Sequence, residues 1–345
     1  MFLLRSAQRF QIRRQYSSKM RLKSKSNELS SMDIRNIFLD YFTQEHNHKF
    51  IRSSPVVPFC DPTVPFVNAG MNQFKNIFLG NAAPPCGSAV NSQKCIRVGG
   101  KHNDLNVIGT DGYHHTFFEM LGNWSFGDYF KEKACVTAWD LLTNFYQINP
   151  NRLYVTYFGG DTKLGLPPDL ECKEIWRSIG VPLDRILPFG ANENFWEMGA
   201  SGPCGTCTEI HYDHLPNIEP NQRARFVNGG LPDLTELWNI VFIEYNRTSD
   251  GTIETLKDKF IDTGMGFERL VAVLQGKSSN YDSDLFLPIF DAISKESGKA
   301  PYSGTFDVND SNYQLDYTYR LVADHVRMSS VCIADGIYPQ LKYQL

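Results

Sequence analysis

The segment from residue 93 to residue 130, QKCIRVGGKHNDLNVIGTDGYHHTFFEMLGNWSFGDYF, limits what this chain can fold into more than any other. It brings Arg97, two adjacent glycines, a lysine and a histidine into one short loop, and then runs into His114, His115 and a dense aromatic block. Glycines let a main chain approach a ligand closely, and a guanidinium can grip two oxygens at once. The loop therefore predicts a site for an anionic ligand with several oxygens.

The aromatic block favours a binding slot over the alternative, an exposed basic hairpin tip. An exposed tip has no need of two histidines and a glutamate beside so many aromatic side chains. Aromatic rings next to cations suit a flat base with a phosphate end. Neither the phosphate-binding pattern G-x-x-x-x-G-K-[ST] nor the dinucleotide pattern G-x-G-x-x-G occurs in the chain. We therefore expect a nucleotide-binding fold of another kind.

Residues 262–270, DTGMGFERL, repeat the combination of glycine, arginine and carboxylate. The glycines open a helix, and a helix N-terminus favours phosphate. Asp262 could bind an ammonium group, or it could cap the helix, and the local pattern leaves both roles open.

The remaining patterns predict an α+β fold. Apolar residues at helical spacing occur in 134–145, 172–180, 285–298 and 318–336, and extended patterns occur in 152–160 and 237–247. Irregular loops and helices separate the strands, which favours an antiparallel sheet followed by a helical segment.

One cysteine pair and one histidine pair have side chains that can bind metals, but neither pair is expected to form a metal site. Cys204 and Cys207 lack a second C-x-x-C or a paired-histidine partner, so we expect a glycine-rich structural loop and no zinc site in this chain. His46 and His48 complete no ligand set, and solvated side chains at a helix end are expected. No apolar run reaches the roughly 18 residues that a membrane span needs, so no membrane association is expected.

The charge distribution singles out the first 25 residues. They carry eight Lys or Arg and no acidic residue, which leaves 26 basic and 38 acidic residues, a formal charge of −12, in the rest of the chain. An Arg-rich, acid-free segment with interspersed apolar residues is typical of a mitochondrial transit peptide, and the alternative is a disordered basic tail. We therefore expect a location in the mitochondrial matrix, with reduced thiols.

Six segments, in the same order along the chain, resemble the catalytic core of the alanyl-tRNA synthetases, a family of class II aminoacyl-tRNA synthetases. The resemblance covers roughly residues 30–338. Its strongest parts are 53–80, 97–105, 113–130, 194–213, 238–247 and 262–275.

The resemblance implies a class II antiparallel sheet flanked by helices and followed by a partial helical domain, with ATP, Mg²⁺ and L-alanine bound to it. Arg97 and Arg269 would be catalytic. ATP would be bound by Arg97, His115, Trp196, Leu237, Trp238, Asn239, Gly266 and Arg269. Alanine would be bound by Met120, Trp196, Asn239, Val241, Asp262 and Gly264. The implied ligands of Mg²⁺ are Glu209 and Asp213.

By the same resemblance, the chain would join alanine to ATP as alanyl-adenylate and pass the alanyl group to the acceptor stem of tRNA(Ala). The implied domains are a transit peptide (1–25), a catalytic domain (26–276) and the start of a helical tRNA-recognition domain (277–345). After 321–339 the chain ends in QLKYQL, where the family continues. We therefore expect weakened binding of tRNA, a monomer, and exposed Leu321, Val322 and Val326.

The second hypothesis is a catalytically silent binding or regulatory module derived from a synthetase. The abrupt C-terminus favours this hypothesis. The intact set of implied site residues argues against it: Arg97, His115, Trp196, Asn239, Asp262 and Arg269.

Overall fold

The structure, a computed structural model, describes residues 29–58, 64–99, 102–215 and 219–338. The predicted transit peptide, the residue pair 100–101 and the terminal QLKYQL segment lie outside the described residues.

The described chain contains eleven strands and nine α-helices, and its last three elements of this kind are helices. Its strands are β1 (Lys49–Phe50), β2 (Ser88–Ile96), β3 (Val98–Gly99), β4 (His102–Asn103), β5 (Phe117–Ser125), β6 (Leu153–Phe158), β7 (Ile186–Phe189), β8 (Phe195–Glu197), β9 (Gly202–Asp213), β10 (Leu234–Arg247) and β11 (Ile253–Gly266). Its α-helices are α1 (Ser31–Asp40), α2 (Lys75–Phe78), α3 (Lys131–Asp140), α4 (Leu170–Ile179), α5 (Ala191–Asn194), α6 (Pro220–Ala224), α7 (Phe267–Leu274), α8 (Leu287–Ser297) and α9 (Tyr313–Ala334).

Nine of these strands form one sheet in the order β1–β2–β5–β11–β10–β9–β6–β7, with β8 added to β9. All neighbours from β2 to β6 run antiparallel, whereas β1 pairs parallel with β2 and β7 pairs parallel with β6. The predicted α+β class with an antiparallel sheet is confirmed. The two parallel pairs at the edges were not predicted.

Local signals decide where several helices begin and end. The Ser30 hydroxyl accepts a hydrogen bond from the Asp33 N–H at 3.2 Å, and the Asp33 carboxylate accepts one from the Ser30 N–H, which forms a capping box before α1. Helix α4 ends at Gly180 and α8 ends at Gly298, both in the left-handed conformation that glycine adopts without strain.

The sheet has an apolar core on each face. On one face, helices α1, α3, α4 and α7 bury residues such as Phe38 and Trp176 against Trp238 and Phe242 of β10. On the other face, Phe74 and Phe78 pack on Trp124 and Val241. Because successive side chains of a strand point to opposite faces, β10 contributes to both cores.

The segment after residue 276 packs against the edge of the sheet. Tyr319 and Ala323 of α9 bury Phe286 and Phe290, and the last turn of α9 contacts β2 through the Lys94–Asp335 ion pair at 2.6 Å. The prediction of exposed apolar residues on this helix is confirmed for Val322 (40% exposed) and Val326 (48%). Leu321 is half-buried instead. The predicted domain boundary at residues 276 and 277 stays a prediction.

Two expectations, one about the cysteine pair and one about the histidine pair, are wrong. Cys204 and Cys207 lie within the long strand β9, not in a loop, and both side chains are buried. His48 is buried, with Nε2 2.9 Å from the Tyr129 hydroxyl, and burial lowers the pKa of His48 to about 4. It is therefore a neutral core side chain rather than a solvated cation.

No helix in the described ranges combines the length and the apolar character that crossing a bilayer requires.

Candidate active site

A cavity of about 400 Å³ lies over strands β5, β10 and β11. Twelve of the fourteen residues that the resemblance implies for the site line it, and only Trp238 and Asp213 do not. The twelve are Arg97, His115, Met120, Trp196, Glu209, Leu237, Asn239, Val241, Asp262, Gly264, Gly266 and Arg269. Segments far apart in the chain therefore meet at one place, as the sequence predicts.

A single carboxylate lies at the buried end of this cavity. Asp262 is 6% exposed, and its Oδ1 accepts a hydrogen bond from Nε1 of Trp124 at 2.5 Å. Burial raises the pKa of Asp262 to about 7, and the indole N–H only partly opposes that rise. Asp262 lies within β11, opposite Val241, so the alternative role as a helix N-cap is wrong. The residue is suited to receive a cation.

Trp124, which the sequence reading did not assign to the site, is fixed by two glycines. A Cβ on Gly122 would lie 2.2 Å from the Trp124 ring, and one on Gly70 would lie 2.7 Å from it. Only glycine leaves room for the indole at these positions. The ring is fully buried, and its N–H is thereby held against Asp262.

The space around Asp262 is small. Gly264 pairs with Asn239 across the sheet, and a Cβ on Gly264 would lie 2.6 Å from Sδ of Met120. Val241 and Met120 line the same part of the cavity. A ligand beside Asp262 must therefore have a compact side chain.

Two arginines mark the other end of the cavity. Arg97 donates from Nε to the Asn68 carbonyl at 3.1 Å, and its guanidinium lies 5.0 Å from the Phe118 ring centroid. Arg269 donates from Nη1 to the Glu236 carbonyl at 2.9 Å. Both cations are held by main-chain oxygens, so they keep their position without a ligand. This end suits a polyanion.

The two histidines at this end differ in their surroundings. His115 is 3% exposed; its Nε2 lies 3.0 Å from Nδ2 of Asn280, and its ring stacks on Phe286 at 4.9 Å. His114, which was not predicted as a site residue, is half-buried, and its Nδ1 lies 2.7 Å from Oδ2 of Asp111. Both line the cavity, so the pair is a wall of the site rather than an exposed tip.

Most of the aromatic block serves the cores and not the cavity. Phe117, Trp124 and Phe126 are buried in apolar clusters. Within the described part of the block, from 116 to 130, Phe118 is the aromatic residue that lines the cavity. The expected aromatic slot is therefore narrower than the sequence pattern indicated.

The two carboxylates implied for Mg²⁺ separate in the structure. Asp213 is buried in an ion pair with Arg223, which donates to both carboxylate oxygens at 3.0 Å, and it does not line the cavity. The structure therefore places Asp213 away from the cavity with its charge neutralised, and its role as a ligand of Mg²⁺ stays a prediction without support from this placement. Glu209 does line the cavity, where its Oε2 accepts from Asn228 at 2.9 Å and contacts His211 at 3.0 Å.

Glu236 is a further carboxylate of the cavity that the sequence reading missed. Burial raises the pKa of Glu236, but the charges of Arg269, His211 and Arg97 outweigh it, and the net pKa lies below the ordinary value. Glu236 is thus ionised at neutral pH. The sequence alone would not find it, because residues three apart in a regular strand face opposite sides. The strand is irregular between Glu236 and Trp238, which lets Glu236 and Asn239 line the same cavity.

Trp238 does not take part in the cavity through its side chain. It is fully buried on the opposite face of the sheet, 5.9 Å from Phe38 between ring centroids. Strand alternation explains this placement, because Asn239 and Val241 face the cavity. The Trp238 side chain is therefore not available to the cavity, and a contact of Trp238 with ATP stays a prediction that only its main chain could meet.

Comparisons with known proteins agree on a family. A family model described as tRNA synthetases class II (A) matches residues 33–343. The mitochondrial alanine–tRNA ligase of Drosophila melanogaster is 64% identical over 92% of this chain and 31% of that protein. The cytoplasmic alanine–tRNA ligase of the same species is 52% identical over 90% of this chain and 32% of that protein. The mitochondrial alanine–tRNA ligase of Saccharomyces cerevisiae is 56% identical over 90% of this chain and 32% of that protein.

The chain spans about a third of the length of these curated relatives.

Proposed function

The chain belongs to the class II tRNA synthetases, and from this premise we propose that it activates L-alanine with ATP and can pass the alanyl group to tRNA(Ala). The observation that carries the proposal is the cavity itself, which has one buried carboxylate in a small space at one end and two anchored arginines at the other. The carboxylate suits the ammonium group of an amino acid, and the arginines suit the phosphates of a nucleoside triphosphate.

At the buried end, Asp262 would receive the ammonium group of alanine. Met120 and Val241 bound the space left for the side chain, and the absence of a Cβ on Gly264 keeps that space open. The carboxylate of alanine would then point toward the arginines. A methyl group fits this volume, whereas a branched or aromatic side chain would collide with Met120.

At the other end, Arg97 and Arg269 would bind the phosphates of ATP, with His115 beside them. An oxygen of the alanine carboxylate attacks the α-phosphorus, the bond to the β-phosphate oxygen breaks, and pyrophosphate leaves with the electron pair. No side chain forms a covalent bond in this step. The rate would come from alignment of the two substrates and from Arg97 neutralising the charge that develops.

Mg²⁺ would be held by Glu209 together with phosphate oxygens, because Glu236 is already paired with Arg269 at 3.4 Å. One carboxylate that lines the cavity fits the preference of this ion for few protein ligands and several waters. When bound, the ion would neutralise phosphate charge and help pyrophosphate to leave.

The decisive experiment is ATP–pyrophosphate exchange with alanine, because this reaction needs the activation site but no tRNA. We expect exchange that depends on alanine and is much weaker with larger amino acids such as valine. A folded sample that binds ATP yet shows no alanine-dependent exchange would favour the silent module instead.

A mitochondrial role extends this proposal. Within one species, Drosophila melanogaster, the mitochondrial ligase is more similar to this chain than the cytoplasmic ligase, at 64% against 52% identity. The acid-free, arginine-rich first 25 residues support the same location. Import of a fusion of residues 1–25 to a reporter into isolated mitochondria tests it.

The KM for alanine should depend on pH through Asp262. With a pKa of about 7 before alanine binds, the carboxylate is mostly protonated at pH 6 and cannot pair with an ammonium. We expect the KM for alanine to rise about tenfold for each pH unit below 7 and to level off above it. Exchange kinetics from pH 5.5 to 8.5 at saturating ATP measure this.

Trp124→Phe is the control for that pH dependence. The change removes the N–H that stabilises the Asp262 carboxylate and should move the midpoint to higher pH. A KM for alanine that is independent of pH in both proteins would contradict the role of Asp262.

Gly264→Ala should narrow the alanine space. The added Cβ would lie 2.6 Å from Sδ of Met120, so the flexible methionine must move into the cavity. We expect the KM for alanine to rise roughly tenfold, the usual cost of modest overpacking, with the KM for ATP unchanged. Adding Met120→Ala should recover part of the loss, and an equal rise in both KM values would refute this placement.

A further inference from the structure

Helix α9, which follows the sheet in sequence, turns one face toward the phosphate end of the cavity. Arg320, fully buried, donates from Nε to the Gly109 carbonyl at 2.8 Å. Asp324, also fully buried, accepts from the Thr116 N–H at 2.9 Å. Residues three or four apart lie on one face of a helix, so Arg320, Asp324 and Arg327 share a face of α9. This face therefore holds the chain just before β5.

Asp324 lies beside His115 and is linked to Arg97 through Thr116, and both of these residues belong to the phosphate end of the cavity. It accepts hydrogen bonds from the N–H and the hydroxyl of Thr116. The Thr116 carbonyl in turn accepts from the N–H of Arg97 at 2.9 Å. The other neighbour, His115, places Nδ1 3.6 Å from Oδ1 of Asp324. Movement of this carboxylate would be passed on to both.

The surroundings of His115 also define which of its nitrogens carries a proton. Nε2 faces the Asn280 amide at 3.0 Å, and Nδ1 is buried without a hydrogen-bond partner among the described residues. The group nearest to Nδ1 on α9 is the Asp324 carboxylate, which can only accept. A proton on Nδ1 is therefore favoured, and the ring keeps one orientation against Phe286.

Asp324 is ionised in this setting. Burial raises the pKa of Asp324, but the contacts with His115, Thr116 and His325 outweigh it, and the net pKa lies below the ordinary value. Burying an anion costs free energy unless neighbouring groups donate hydrogen bonds to it or balance its charge. Thr116 and His115 are neighbours of this kind for Asp324.

We propose that Asp324 is a positioning residue for ATP: from helix α9 it fixes Thr116 and His115, and through them it holds Arg97 and the histidine ring in the geometry that binds the triphosphate. The identity of the nucleotide rests on the proposed function. The inference adds that helix α9, which lies in the segment predicted to recognise tRNA, contributes to the activation site.

Asp316 supplies a matched control on the same helix. Like Asp324 it is fully buried, and it accepts from the Ser303 N–H at 3.0 Å and from the Thr305 N–H at 2.7 Å. Those contacts lie in a loop that does not line the cavity. Asp316→Asn therefore reports the cost of removing a buried carboxylate from α9 without touching the site.

The test compares Asp324→Asn with Asp316→Asn in the full chain. An asparagine keeps the shape, but its amide donates toward Nδ1 of His115 and loses an acceptor for Thr116. We expect the KM for ATP in exchange to rise roughly 10- to 100-fold, the effect of a lost charge-assisted hydrogen bond, with the KM for alanine unchanged. Asp316→Asn should alter thermal stability and leave both KM values as in wild type.

A folded Asp324→Asn protein with the wild-type KM for ATP overturns the inference, and so does an equal rise of both KM values. If Asp324→Asn does not fold, Thr116→Val decides, because it removes the hydroxyl contact and keeps the side-chain shape. A raised KM for ATP then supports the inference, and an unchanged one overturns it.

Calorimetric titration with ATP in the absence of alanine separates this inference from the proposed function. Weaker ATP binding by Asp324→Asn supports the inference even if wild type shows no alanine-dependent exchange, which would refute only the function. A wild-type protein that binds no ATP refutes both.

Discussion

Replacing Arg97 by alanine is expected to lower kcat for alanine-dependent ATP–pyrophosphate exchange by about 10³-fold, the usual cost of removing one positioned charge from a transition state. Arg97 is anchored to the Asn68 carbonyl and lies on Phe118 at the cavity wall. The guanidinium therefore does not have to move when the α-phosphate gains negative charge in the transition state. ATP should remain partly bound, because Arg269 is held separately by Glu236.

Two further variants show whether the loss comes from the geometry of the guanidinium. Arg97→Lys keeps a positive charge but loses the planar fork, so it should recover only a small part of kcat. Arg177→Ala removes an exposed arginine on α4 that pairs with Glu174, and it should behave as wild type. Pre-steady-state measurement of adenylate formation and calorimetric titration with ATP separate the two effects. Equal loss of ATP affinity and of kcat in Arg97→Ala would contradict a role in the transition state.

The sequence motifs predicted correctly that certain residues lie close together in the fold. Arg97 comes from one segment and Asp262 and Arg269 from another, more than 150 residues later, and all three line the same cavity. Each motif carries its own ligand chemistry, so recognising the motifs was sufficient to assemble these residues. The antiparallel sheet followed from the same segments, and its parallel edges did not, because edge pairing leaves little mark on a short strand such as β1.

The failures have physical causes that a linear pattern conceals. Asp213 looked like a metal ligand, but Arg223 neutralises it across a loop. His48 looked solvated, but the Tyr129 hydroxyl gives it a buried partner. Strand alternation places the Trp238 side chain on the face of the sheet opposite the cavity.

The contribution of α9 was invisible for a different reason. Asp324 lies more than 200 residues from Thr116 in sequence, and no local pattern distinguishes it from Asp316, which is equally buried on the same helix. Only the packing of α9 on the start of β5 assigns one of the two carboxylates to the phosphate end. Tertiary contacts of this kind decide function without leaving a motif.

Replacing Asp262 by asparagine should separate alanine binding from ATP binding and also stabilise the protein. The KM for alanine should rise roughly 100-fold or more, because the ammonium loses the buried carboxylate beside it, with ATP affinity unchanged. Asparagine is nearly the same size and still accepts the Trp124 N–H, so the cavity should keep its shape. Exchange kinetics with both substrates varied measure this separation.

The gain in stability follows from the raised pKa of Asp262. The folded protein holds this proton up to about pH 7, whereas an unfolded aspartate releases it near pH 4. The stabilisation from the protonated carboxyl is full below pH 4 and is lost as pH rises through 7, so at pH 8 the wild type bears a buried, unpaired anion. Asp262→Asn should therefore unfold at higher temperature than wild type at pH 8, by up to about 4 kcal/mol in unfolding free energy, and show little advantage at pH 4.

Alanine itself supplies the matching control. At pH 8 its ammonium should pair with Asp262 and raise the unfolding temperature of the wild type, and it should leave Asp262→Asn unaffected. Thermal unfolding with and without alanine, at pH 4 and pH 8, covers both halves of the prediction. Stabilisation of Asp262→Asn by alanine, or a variant less stable than wild type at pH 8, would show that the buried carboxylate serves the fold and not the amino acid.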